Sequence, residues 1–350
     1  MITINIFSQA FLDGVLSVLK PPTTFLRDTF FTAPPELHEV DAILVDVTVE
    51  GQTISALVSS EDGPVKVSRD GYGTNMVKTP KILEITDLKP RDFIDHRQPG
   101  QVGITATSDP KFKQRVEEEL AKMLKKFKDR RTRLEEWMVA QAALYGKWTI
   151  TLPNGKKYTI DFKRPQGHTV TLEGNDLWSA PSTANPLAMI DTKSQLIVRG
   201  CGAQATHVVM NKTTKQSLMA CDKFKADLNN KNIYRGSVDT TTAQMQAGAK
   251  KFAEVDGFQF FEYDSTYEDY DGATKLYIPD GKVIVGAAGY SGNKRHYGPI
   301  EDFDAMPDIR REEFSKNWTE KMPSQWNLSY ESHPLLATHK PECFVALTVI

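Results

Sequence analysis

Cysteine is scarce in this chain of 350 residues: Cys201, Cys221 and Cys343 occur without a CxxC pair. That excludes a disulfide scaffold and a closed zinc knuckle, and a reducing compartment fits best. An excess of one charge sign is also missing. The 43 Lys and Arg set against 45 Asp and Glu give a net charge of -2, which excludes a polycationic nucleic-acid binder at whole-chain level but leaves local charge free to act. Long hydrophobic runs are absent as well, the nearest being short pieces such as Val283–Tyr290, far below the roughly 20 apolar residues that cross a bilayer. Met1–Leu19 is apolar but carries Asp13 and no basic residue before Lys20, the reverse of a signal peptide. The expectation is a soluble intracellular product without a membrane partner.

Signatures of chemistry are equally thin. Neither GxGxxG nor the GxxxxGK phosphate loop occurs, and Gly200-Cys201-Gly202 is a bare GxG. Cys201 and His207 are close in sequence, but no flanking motif supplies an oriented base and an oxyanion site, so buried structural thiols are expected. The histidines, His96, His168, His296 and His333 among them, show no HxxxH or HExxH spacing, and neither a metal nor a cofactor is expected. The acidic stretch Glu262, Asp264, Glu268, Asp269 and Asp271 lacks the order of a calcium loop. It reads as a solvated loop, with a paired acid/base site as the alternative.

What is present is pattern. With 40% hydrophobic and 25% charged residues the composition is that of a globular chain, so disorder is excluded. Phe7, Phe11, Leu12, Val15, Leu16 and Leu19 lie at helical spacing behind Ser8 and stop at Pro21-Pro22, predicting a short apolar arm that docks on its own chain or on a neighbouring copy. Ile43, Val45 and Val47 alternate with polar residues, as do Ile54, Ala56 and Val58 beyond Gly51-Gln52, which reads as a hairpin. Glu61–Gly103 is dense in turn signals around short apolar pieces such as Ile82-Leu83-Glu84-Ile85 and reads as an extended two-stranded excursion.

Asp109-Pro110 then opens a helix that nothing breaks until Gly146. At about 1.5 Å per residue it spans on the order of 50 Å, a spine for the fold. Val116, Leu120, Met123, Phe127, Leu134, Met138 and Leu144 mark its apolar stripe, and Lys122, Lys125, Lys126, Lys128, Arg130, Arg131 and Arg133 are expected on the opposite side. The Asn154-Gly155 turn between Lys147–Leu152 and Lys157–Phe162 is a strong hairpin signal. Helix Asn185–Arg199 alternates with strand pieces at His207–Met210, Gly257–Tyr263 and Lys282–Ala287, a mixed α/β region. The apolar end Cys343–Ile350 must lie inside a sheet, because left free it would be an aggregating edge.

Taken in order, these elements resemble the lambda-like major capsid protein E family of tailed bacteriophages, whose fold is the Hong Kong 97 type. The resemblance runs over essentially the whole chain. It is carried by Phe25-Leu26-Arg27-Asp28-Thr29-Phe30-Phe31, Val45-Asp46-Val47, the helix end from Arg133-Leu134-Glu135 to Gly146, Asp176-Leu177-Trp178, Val208-Val209-Met210, Tyr297-Gly298-Pro299-Ile300 and Pro334-Leu335-Leu336.

The resemblance implies an α+β fold with an N-terminal arm at 1–35, a peripheral-domain strand at 36–50 and an extended loop at 51–100. A peripheral domain follows at 101–184, with the spine helix at 110–146 and the hairpin at 147–162. An axial domain at 185–300 precedes a return to the peripheral domain at 301–350, which ends in the C-terminal strand. It also implies a structural, non-enzymatic shell protein of the virion, assembled in the host cytoplasm from pentamers and hexamers around double-stranded DNA. Its partners would be further copies of itself, a scaffolding protein and a portal protein, with a decoration protein left open. The basic face from Lys122 to Arg133 would then line the lumen. Because strands begin by Val40, a separate scaffolding protein and no large N-terminal cleavage are expected. A cellular nanocompartment shell of the same fold and a soluble α/β enzyme using Glu262–Asp271 are the alternatives.

Overall fold

The computed structural model describes residues 9–20, 22, 24–49, 71–89, 110–151, 155, 157–230, 245–246, 248–269, 271–322 and 324–350. Its organising element is the helix Pro110–Tyr145, 36 residues without an interior glycine or proline. It ends where Gly146 turns to a φ of +66°, a left-handed conformation that glycine adopts without strain, and donates its N–H to the Ala142 carbonyl at 3.0 Å. The spine predicted at 110–146 is therefore present, and Asp109 lies outside the described residues.

Two cores sit along this one helix. Its first half contributes Val116, Leu120, Leu124 and Phe127, which pack with Leu12 and Leu16 of the helix Gln9–Val18 and with Leu88, Trp326, Leu328 and Tyr330. Those last four belong to a three-stranded antiparallel sheet in the order Phe314–Lys321, Ser324–Ser332, Ile82–Leu88. The apolar arm is thus docked on its own chain, and Asp13 pairs with Arg311 at 3.0 Å to fix it there. The second half of the spine, from Met138 to Leu144, packs into the main core with Trp148, Trp178 and the central sheet.

That sheet has seven strands in the order Thr169–Thr171, Phe344–Thr348, Lys282–Gly286, His207–Met210, Phe258–Tyr263, Ala249–Val255, Met245–Gln246. The C-terminal strand is parallel to Thr169–Thr171 and antiparallel to Lys282–Gly286, so both its edges are paired as its apolar character demands. Its place beside Lys282–Gly286 means that one continuous sheet joins segments that the sequence reading divided between 185–300 and 301–350. The turn Asp256-Gly257, with both residues at positive φ, links Ala249–Val255 to Phe258–Tyr263 as a tight hairpin. Helix Pro186–Cys201 begins with Asn185, whose side chain accepts from the Ala188 N–H, and ends at Gly202 with a φ of +73°.

Strand Ala42–Val49 pairs with Gly71–Lys78, whereas the predicted partner Ile54–Val58 lies outside the described residues. Within the proposed loop 51–100, Ile82–Leu88 is a strand stitched along its length to Ser324–Ser332. A third sheet places Glu36–Leu37 parallel to Asn293–Tyr297, which pairs in turn with Pro334–Thr338. The Lys147–Thr151 and Lys157–Asp161 hairpin forms as the Asn-Gly signal predicts.

Candidate assembly and lumen surfaces of the spine helix

The seven bases singled out on the spine do not share one face. Lys122, Lys125, Lys126, Arg130 and Arg133 are exposed, but Lys128 and Arg131 are buried. Helical spacing explains the difference: the buried row runs Leu120, Leu124, Lys128, Arg131, Glu135, Met138, Ala142 in steps of three and four residues. The expected stripe passed through Leu134, which is only half-buried. About two helical turns of the interior row, Lys128 to Glu135, are therefore built from charge, a correction to the assignment of Lys128 and Arg131 to the solvent side.

Both buried bases are paired. Lys128 Nζ donates to the Leu16 carbonyl at 2.8 Å and lies 3.0 Å from Glu313 Oε1. Arg131 Nη1 is 3.3 Å from Glu313 Oε2, and its guanidinium stacks 5.6 Å from the centre of the Tyr297 ring. Arg131 Nε lies 3.2 Å from Glu135 Oε1, an ion pair by distance that is out of line for a hydrogen bond. Burial opposes the Arg131 charge, but Glu135 and the surrounding acids outweigh it and hold the guanidinium above its usual range. Glu135 also receives Arg27 Nη1 at 2.8 Å and the Tyr297 hydroxyl at 2.8 Å. Tyr330 donates to Glu313 Oε2 at 2.7 Å.

Glu136 completes the cluster. Its two oxygens accept the backbone N–H groups of Phe25, Leu26 and Arg27 at 3.1, 2.8 and 2.8 Å and the Tyr263 hydroxyl at 2.7 Å. Every partner is a donor, so the arrangement is made for a carboxylate at the start of the short helix Leu26–Phe30. Burial nonetheless pushes this carboxyl up, with the Arg27 and Tyr263 hydrogen bonds opposing that shift. The segment Phe25–Phe31 is thereby tied to the spine, and Phe30 meets Phe344 of the C-terminal strand edge-on at 5.1 Å between ring centres. Sequence reading singled out this segment but not its carboxylate anchors. Two adjacent glutamates at the step where the apolar stripe falters were the available signal.

On the exposed side the positive charge is partly compensated. Lys122 pairs with Glu119 at 2.7 Å and Arg130 with Glu84 at 2.9 Å. Lys125, Lys126 and Arg133 make no ion pair with another of the described residues. The surface narrows to these three and their paired neighbours.

The candidate chemistry elsewhere is occupied by structure. Glu262 is paired with Lys215 at 2.5 Å, while Asp269 and Asp271 both approach Lys275. Three of the five acids of the stretch are thus engaged by lysines. Cys201 donates to the Ile197 carbonyl at 3.2 Å, and His207 engages the Thr206 hydroxyl at 2.9 Å and stacks on Phe261. Burial pushes the Cys201 thiol up and, with Lys251, drives His207 down to about 4. The two are not a thiol–imidazole pair.

The mixed helix-and-sheet fold strung on one long helix is of the Hong Kong 97 type. The family model described as phage major capsid protein E matches residues 8–349, and the chain belongs to that family. It is 25% identical over 340 residues to the major capsid protein of Enterobacteria phage P21, covering 92% of this chain and 93% of that one. The P21 prophage-derived major head protein of Escherichia coli O6:H1 matches equally, at 25% over 340 residues.

Among solved structures, a prophage protein of E. coli CFT073 described as a capsid protein superposes with a TM-score of 0.67 at 16% identity, over 98% of this chain and 99% of that one. A phage-related protein from Bordetella bronchiseptica gives a TM-score of 0.53 at 12% identity, over 99% and 98%. The protein is a phage major capsid protein, a structural component of the virion shell. Among the described residues no helix is long and apolar enough to cross a membrane.

Proposed function

We propose that copies of this chain associate into pentamers and hexamers that close into an icosahedral head around double-stranded DNA, without enzymatic activity. The observation that carries the reading is a set of bare hydrophobic side chains on a chain that otherwise buries its core. Leu83 and Ile85, 53% and 59% exposed, project from the edge strand Ile82–Leu88, and Phe303 and Met322 are 90% and 94% exposed. Large apolar groups on strand edges and loop tips favour contact with further copies.

In this reading 1–35 is the arm, 51–100 the extended loop and 185–300 the axial region near the capsomer symmetry axis. Lys122, Lys125, Lys126, Arg130 and Arg133 face the lumen and screen packaged phosphate. A scaffolding protein directs assembly and a portal protein occupies one vertex. Electron microscopy of the purified protein tests the proposal. Closed shells or sixfold capsomers are expected, and a monodisperse small globule at all concentrations would sink it.

A further inference from the structure

The sequence carries no HxxxH or HExxH spacing, yet the third sheet gathers ligand atoms from residues far apart. Glu36 pairs with His296 in the parallel register of Glu36–Leu37 against Asn293–Tyr297, and His38 follows two residues on, its N–H bound to the Tyr297 carbonyl at 2.9 Å. His38 Nε2 lies 3.0 Å from His296 Nδ1, and Glu36 Oε2 lies 3.3 Å from the same nitrogen. All three ligand atoms fall within 4.8 Å of one another. From these contacts we infer that Glu36, His38 and His296 form a divalent-metal site, of zinc type, that clamps the segment after the N-terminal arm onto the strand Asn293–Tyr297.

The geometry and ligand types fit that ion. A tetrahedral zinc with bonds of about 2.0–2.1 Å separates its ligand atoms by about 3.3 Å, and two imidazoles with one carboxylate is a ligand set zinc accepts. The 3.0 and 3.3 Å separations from His296 Nδ1 are therefore close to those of a bound site, and Glu36 and His38, within 4.8 Å of each other, would close onto the ion. The surrounding contacts are also those of a metal centre. His296 Nε2 lies 3.2 Å from His339 Nε2, so with metal on Nδ1 the Nε2–H can donate to His339, as a liganding imidazole usually donates to an outer partner. Glu36 Oε1 accepts from Lys294 at 2.7 Å, which fixes the carboxylate and leaves Oε2 for the metal.

His296 is buried while Glu36 and His38 are half-buried, so the site has a side open to an entering ion. Binding requires the two imidazole lone pairs and the carboxylate. His38 must then carry its proton on Nδ1 and His296 on Nε2. The fourth position is left for water or for a group of another copy.

The test uses the full chain without a histidine tag, incubated with Zn2+ alone and then desalted. About one zinc per chain is expected by elemental analysis, with thermal unfolding raised by Zn2+ but not by Mg2+. A Co2+-loaded sample should show the visible absorption of a tetrahedral site. His38→Ala, at a half-buried position that leaves the core intact, should weaken zinc binding at least ~10-fold, and His339→Ala, which removes only the outer partner, about 10–100-fold. Folded wild-type protein that retains no zinc would overturn the inference, as would a His38→Ala variant that binds zinc as tightly as wild type.

Discussion

Two faces of one stretch of the spine helix carry the same residue types and do opposite things. Lys125, Lys126 and Arg133 stand exposed and unpaired among the described residues, whereas Lys128 and Arg131, interleaved with them in sequence, are buried against Glu313 and Glu135. The buried pair joins arm, spine and C-terminal strands; the exposed set makes no ion pair with another of the described residues. Charge on a helix is thus assigned by which row of the 3.6-residue repeat it occupies and by what packs on that row, not by the sign or density of the run.

The comparison breaks most visibly at Arg131. Arg131→Met keeps the volume but leaves Glu135 and Glu313 short of a counter-charge in the interior, and a loss of about 3–5 kcal/mol is expected. Urea unfolding measures it as a lowered midpoint with the slope unchanged. A variant as stable as wild type would mean that the buried charges are not what joins these segments.

Acid acts on the buried groups, with Glu136, whose carboxyl burial pushes up, contributing in the opposite sense to the histidines. His207 and His296 have an ordinary value of 6.5 and are pushed by burial down to about 4, with Lys251 aiding for His207 and His339 for His296. Between pH 6.5 and about 4 the unfolded chain therefore binds more protons, and stability falls as the pH falls. Glu331 adds the same sign from 4.5 downward: burial opposes its charge, but His333, the Glu301 N–H and Lys81 bring it to about 2. Urea midpoints with a chelator present should be lower at pH 5 than at pH 7, and an equal or higher midpoint at pH 5 would contradict this reading.

The smallest effect on folding belongs to the exposed face. Lys125→Gln with Lys126→Gln should change stability by no more than ~0.5 kcal/mol by the same urea assay. A large loss would place these lysines in the protomer's own architecture.

Much of the fold is legible in the sequence because local signals and tertiary outcome agree. Proline at the start and glycine at the end bound the spine, the strands on either side of the Asn-Gly signal pair as Lys147–Thr151 with Lys157–Asp161, and an apolar C-terminus finds two strand partners. What periodicity misses is the charged turn of the buried row. Arg131, Glu135 and Glu136 look like surface residues until Arg27, Tyr263, Tyr297 and Glu313 arrive from segments distant in sequence. The same limit hides the Glu36, His38 and His296 cluster, whose ligands meet only through strand register. Polar sites assembled by tertiary contact leave no fixed spacing to read.

The most direct measurement is a cryo-electron microscopy reconstruction of DNA-filled particles assembled from this chain. The account predicts Lys125, Lys126 and Arg133 on the inner surface against packaged DNA, with Lys128 and Arg131 buried inside each protomer. Finding the three exposed bases on the outer surface, or enclosed in contacts between copies, would contradict it.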